Sequence, residues 1–115
     1  MRKEDFGFKY KGKNINLKVG ICDDIFSQSY GLMFKKTSIP LLFLFKKSRK
    51  RSIHSFFCEK FVAIWFDKNE IVDVKTVDPW RININPGKNF DKLLEIPLSN
   101  GNSFDFIDDA KHLNR

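Results

Sequence analysis

Few side chains in this sequence are equipped for chemistry, and their spacing limits what they can do. Soft or imidazole donors come from Cys22, Cys58, His54 and His112 alone. On a strand, His54 and Cys58 share a face but sit about 13 Å apart at roughly 3.3 Å per residue, too far to hold one zinc ion. An ordinary histidine and a buried thiol are therefore expected there, and no metal. Thiol catalysis needs a lowered pKa and an oriented base. Glu59 follows Cys58 and opposes ionisation, with Lys60 partly offsetting it, and Asp23 follows Cys22. A phosphate loop, a nucleophile elbow, an HExxH helix and a paired-glutamate pattern are all absent from the sequence. No catalytic residues and no cofactor are expected. An enzyme would need a pair of acid–base groups to converge in the fold, and His54, Glu59 and Asp73 are the residues to follow.

Two stretches carry binding chemistry. In "PWRININPGKN", Trp80 offers an aromatic face and Arg81 a guanidinium, and Asn83 and Asn85 follow at strand-like alternation. That mixture suits a sugar, a nucleotide base or a peptide. The alternative is that Trp80 plugs one end of the fold and the asparagines satisfy loop backbone. In "KKSRKRS", five cations fall within six residues: Lys46, Lys47, Arg49, Lys50 and Arg51. Such a run can contact phosphates, though with no interleaved aromatic residue to stack bases. It can equally be the solvated tip of a hairpin.

The elements that must position these residues are short strands. "FGFKY" and "INLKVGI" alternate on either side of "KGKN" and form a hairpin. "DDIFSQSYGLMF" has a capping Asp23 or Asp24 and a terminating Gly31, which predicts a helix of about two turns. "LLFLF" is a continuous apolar run, as in a strand buried on both faces, and "SIHSFF" and "FVAIWF" read as two more strands. "FDKNE" is a turn leading into "EIVDVKTV". The segment 78–89 contains Pro79 and Pro86-Gly87, so it crosses the sheet irregularly. "FDKLLEIPL" and "SFDFIDD" complete the chain around a tight turn at Asn100-Gly101. About eight strands and one short helix predict a mostly β fold, a compact barrel or two-sheet sandwich.

The chain has 115 residues, 42% apolar and 15% aromatic, which supports one domain over 1–115 with a core of its own. Two unpaired cysteines and the lack of a long apolar stretch point to a soluble, cytoplasmic protein away from membranes. A net charge of +7 permits weak polyanion binding without diagnosing it. The number of subunits is not encoded in any of these features.

"YGLMFKK", "IHSFFCEKFVAIWFDKNEIVDV" and "VDPWRININPGKNFDKLLEIPLSNG", in that order, resemble the DUF192 (UPF0127) family of small prokaryotic proteins over roughly residues 14 to 107. The resemblance implies a small, mostly β, jelly-roll-like barrel and no established molecular function. Phe61, Val62 and Ala63 stand where the family usually has Pro-Ile/Leu-Asp, so the carboxylate of that motif is missing. The expectation is a binding or accessory module with its ligand surface on the 78–89 crossover. The alternatives are a non-specific nucleic-acid binder acting through 46–51, or an enzyme of another class.

Overall fold

A computed structural model describes residues 2–24 and 39–98 of the chain. Among them are six strands: β1 (Lys3–Tyr10), β2 (Lys13–Cys22), β3 (Leu41–Arg49), β4 (Phe61–Asp67), β5 (Glu70–Val77) and β6 (Phe90–Pro97). They form one sheet in the order β1-β2-β3-β6-β4-β5. Both hairpins turn through two consecutive residues of positive φ. Lys11 and Gly12 join β1 to β2, and Lys68 and Asn69 join β4 to β5. This is the backbone hand that suits the twist of paired strands.

Alternation along the central strands sorts the core into two layers. In β4, Val62, Ile64 and Phe66 join one cluster while Phe61, Ala63 and Trp65 join the other. With both faces covered, the strand is an almost unbroken apolar run. The first layer lies inside a curl. Phe6 and Phe8 on edge strand β1 meet the ring of Phe66 on β4 at 5.4 and 5.5 Å, although β2, β3 and β6 intervene in the sheet. Only a strongly curled sheet, a half-barrel, brings those strands face to face. The second layer, with Trp65, Phe61, Phe90 and Leu93 at its centre, covers the convex side, where Ile53 and Ile84 pack on it.

Several expectations change. "SIHSFF" is not a strand: Ile53 makes an isolated bridge to Ile84, and 54–60 are irregular. The reason is topological. β6 lies between β3 and β4 and pairs with both, so the segment joining them finds no free edge and runs across the convex face. The basic run is not a hairpin tip either, because β3 continues to Arg49 and carries Lys46, Lys47 and Arg49 on strand backbone. The mostly β class stands, and the described residues contribute six strands in a single curled sheet where about eight strands in a barrel or sandwich are expected of the whole chain. The helix expected after Asp23, the turn at Asn100-Gly101, the strand "SFDFIDD" and His112 lie outside the described residues. Among the described residues there is no helix, and none long and apolar enough to cross a membrane.

Candidate functional site

The crossover from β5 to β6 passes β4, since β5 and β6 flank that strand and both run antiparallel to it. It is anchored by Ser55, which is fully buried. The Ser55 hydroxyl donates to the carbonyl of Asp78 at 2.6 Å and accepts from the Arg81 amide at 2.8 Å. Its own amide donates to the Arg81 carbonyl at 2.9 Å, and its carbonyl accepts from the amides of Trp80 and Cys58 at 3.1 and 3.2 Å. Five hydrogen bonds thus fasten the 78–81 turn and the 55–58 turn to one residue. Buried polar groups need such partners, and here they weld two loops.

Both welded turns carry an aromatic residue in the left-handed region: Phe57 at φ 61° and Trp80 at φ 64°. For a bulky side chain this conformation costs on the order of 1–3 kcal/mol. The result is outward display. Trp80 is 60% exposed, Ile82 68% and Phe57 46%, and these are the exposed large hydrophobics of the described residues. Trp80 therefore does not plug the fold; the core tryptophan is Trp65, which is fully buried. The rings of His54, Phe56, Trp80 and Phe57 form a ridge with successive centroids 5.1, 5.8 and 4.7 Å apart. Beside it one carboxylate serves two cations: Asp78 meets Lys60 at 3.5 Å and Arg81 at 3.9 Å.

Asn83 and Asn85 turn inward to the loop itself. The Ser52 hydroxyl donates to Asn83 Oδ1 at 2.8 Å, Asn85 Nδ2 donates to the Asn83 carbonyl at 3.3 Å, and Asn85 Oδ1 accepts from the Gly87 amide at 2.9 Å. Lys75 Nζ donates to the Asn85 carbonyl at 2.7 Å. Their amides hold the shape of the crossover.

The cations sit at the other end of the sheet. Arg49 pairs with Phe90 at the start of β6, whereas Phe61, which follows the aromatic loop, pairs with Pro97 at its end. That separation is about 20 Å of strand. The Arg51 guanidinium donates to the carbonyls of Phe90 and Lys47 at 3.0 and 2.8 Å and lies 4.3 Å from the Phe45 ring centroid. Lys46, Lys47 and Arg49 form no ion pair or side-chain hydrogen bond among the described residues. With Arg51, Leu44, Phe45, Asp23 and Asp24 they line a cavity of about 740 Å³. Lys50 is exposed and is not part of its lining.

His54, Glu59 and Asp73 do not converge. His54 Nδ1 accepts from the Phe56 amide at 3.2 Å, while Asp73 accepts from the Val74 amide and lies 3.8 Å from Lys75 Nζ. Among the described residues no three His, Cys, Asp or Glu side chains group as a metal site. Cys22 and Cys58 are buried and form no disulfide. Burial, and then the nearby Glu95 carboxyl, push the Cys58 thiol up to about 11, which removes the thiolate at neutral pH.

Sequence reasoning did not single out Glu95. It lies opposite Leu41 and Ala63 on the convex layer and is 6% exposed, and burial raises its carboxyl to about 8. A lone charge inside the apolar run "LLEIPL" was the available signal. Ser55 was likewise hidden in "SIHSFF", where a strand reading gave its hydroxyl no special role.

No family model matches the chain. A UPF0127 protein of Pyrococcus horikoshii is 39% identical to it over 80 residues, which is 64% of this chain and 70% of the relative. A UPF0127 protein of Pyrococcus abyssi is 33% identical over 85 residues, 70% of this chain and 72% of the relative. Among solved structures, a Novosphingobium aromaticivorans protein of unknown function aligns with a TM-score of 0.75 at 12% identity, over 83% of this chain and 73% of its own. A Sinorhizobium meliloti protein, provisionally described as a transcription regulator, aligns with a TM-score of 0.72 at 16% identity, over 83% and 79%. Those two likenesses concern the fold; the sequence matches to the Pyrococcus proteins, spread over most of both partners, establish that the chain belongs to the UPF0127 family.

Proposed function

We propose that this protein is a binding module whose ligand surface is the ridge bearing Trp80 and Phe57, with the exposed Arg81 and Ile82 following Trp80 in the crossover. The observation that carries the reading is the display of two aromatic residues on strained backbone, welded by a buried serine, where relaxed loops would fold them inward. Tryptophan, phenylalanine and arginine grouped in this way are the side chains that dominate binding energy in recognition surfaces.

The surroundings narrow the ligand. Asn85 is spent on the loop through both its side-chain oxygen and nitrogen and Asn83 Oδ1 accepts from Ser52, which leaves of the two side-chain amides the Asn83 nitrogen to read sugar hydroxyls. Asp78 stands between Lys60 and Arg81 and draws both cations to itself, which leaves a phosphate one surplus positive charge there. An apolar or aromatic peptide segment fits best. The jelly-roll-like barrel implied by the family resemblance and a cytoplasmic setting belong to the same reading, supported by the strong curl of the sheet and the two buried thiols.

The test is a thermal-shift and tryptophan-fluorescence screen of sugars, nucleotides and aromatic peptides on the native protein and on Trp80→Ala. A peptide that raises the native midpoint and quenches emission, with both effects lost in the variant, is the expected result. If no class of ligand distinguishes the native protein from Trp80→Ala, the ridge is bare surface and the module reading fails.

A further inference from the structure

The cations of β3 at the far end of the sheet are exposed and border one open depression, on strand backbone and not at a loop tip. Lys46, Lys47 and Arg49 come from one strand and Arg51 from the residues just after it, and all four line the same cavity. Its volume of about 740 Å³ lies within the range of small-molecule sites. Leu44 and Phe45 supply apolar surface beside the charges. Two acids, Asp23 and Asp24, share the lining, and Asp23 lies 3.5 Å from Arg2. Cations outnumber acids in the wall by two to one.

Arg51 is preorganised. Two of its donors are committed to the carbonyls of Phe90 and Lys47, and its plane rests on the Phe45 ring. A guanidinium has five N–H donors, so donors remain for a ligand. Burial, and then the charge of Arg49, lower its pKa, so a bound anion is favoured there. Phosphate oxygens match the guanidinium fork.

We infer that this cavity is a binding site for a small phosphate-bearing molecule, with Lys47, Arg49 and Arg51 on the phosphates, Lys46 at the rim and Phe45 against an apolar part of the ligand. The chemistry is that of phosphate oxygens, which a free organic phosphate and a nucleic-acid backbone share. A pinned arginine beside the apolar surface of Leu44 and Phe45 favours the former.

The experiment titrates inorganic pyrophosphate and a short single-stranded oligodeoxythymidine into the native full-length chain calorimetrically, at about 50 mM salt. Lys47→Gln/Arg49→Gln removes two wall charges. Lys50→Gln removes an equivalent charge just outside the cavity. Saturable pyrophosphate binding that weakens roughly tenfold or more in the double variant and less than about twofold in Lys50→Gln is expected. Lys46→Gln serves as a second wall variant, and circular dichroism melts confirm that each variant is folded. Oligonucleotide binding without pyrophosphate binding overturns the inference in favour of a backbone track. Equal losses in Lys50→Gln and the wall variants overturn it in favour of diffuse attraction. Since the ridge of Trp80 takes no part, either result leaves the peptide-binding reading as it stood.

Discussion

At the end of the sheet where Phe61 meets Pro97, apolar side chains are pushed out; at the end where Arg49 meets Phe90, exposed cations gather around a pinned Arg51. The first region reverses the usual placement of residue types, the second concentrates one sign of charge, and each is held by a different device. The aromatic end stores backbone strain, with Phe57 and Trp80 in the left-handed region and Ser55 bonding both turns. At the basic end, the repulsion between Arg49 and Arg51 is held in check by carbonyls and the Phe45 ring. Strain held in place by the surrounding structure is a common mark of functional surfaces. The difference teaches that one small sheet has room for two independent sites, one on the loops of one end and one on a strand that runs out at the other.

The largest expected effect contrasts the two tryptophans. Trp65→Ala removes a fully buried ring from the convex layer and should cost about 3–5 kcal/mol. Trp80→Ala removes a 60% exposed ring and relaxes a positive φ in part, so its cost should stay within about 0.5 kcal/mol. Urea denaturation of both variants checks this. A Trp80→Ala loss comparable to that of Trp65→Ala would mean that the aromatic end is a second core and no display surface.

Glu95 lies on the convex layer near the Pro97 end of β6 and couples stability to pH. Its folded pKa of about 8 stands above the ordinary carboxyl value of 4.5, so the unfolded chain ionises first as pH rises. The stability associated with its protonated form is fully present below about pH 4.5 and is lost progressively as pH climbs to about 8. The full swing is on the order of 3–5 kcal/mol. Glu95→Gln, neutral at every pH, should become increasingly more stable than the native chain between those limits. Denaturation free energies of both proteins at a series of pH values measure the difference. A constant difference across the range would show that Glu95 is not the titrating group.

How far these features could be read in advance varied with how local their causes are. The hairpins at Lys11-Gly12 and Lys68-Asn69 and the buried strand "FVAIWF" follow from turn chemistry and alternation, and all three stand where the sequence places them. "SIHSFF" misleads because its fate depends on β6, some forty residues later, taking the place between β3 and β4. Nothing in those six residues records that the edge is occupied. Trp80 was legible as a candidate but its exposure was not, since a hydrogen bond from its amide to a serine 25 positions earlier sets the turn. The cations of 46–51 were visible as a run, yet the strand carries them farther than alternation of apolar residues can indicate.

Ser55 tests the aromatic end by a smaller step. Ser55→Ala deletes the bonds to the Asp78 carbonyl and the Arg81 amide and leaves those two backbone groups without that partner. A cost of about 1–3 kcal/mol follows from unsatisfied buried polar groups. Peptide binding at the ridge should weaken by more than the stability loss explains, because the turn that displays Trp80 relaxes, while pyrophosphate affinity at the basic end should be unchanged. Loss of both affinities together would show that the two ends are coupled and that their independence is wrong.

The smallest effect concerns the basic end in the absence of ligand. Arg49 crowds Arg51 and has no ion pair among the described residues, so Arg49→Gln removes a repulsion and breaks no bond among them. Stability should change by no more than about 0.5 kcal/mol, and upward. Because the repulsion acts between partly solvated charges, it is screened over roughly 10 Å at 0.1 M salt and over about 3 Å at 1 M. The gain should therefore be visible at low ionic strength and vanish at high. A melt series over that range, on the native chain and Arg49→Gln, gives the sign directly. If the variant is less stable at every salt concentration, Arg49 supports the fold, and the unrelieved repulsion that motivates a phosphate ligand is not there to relieve.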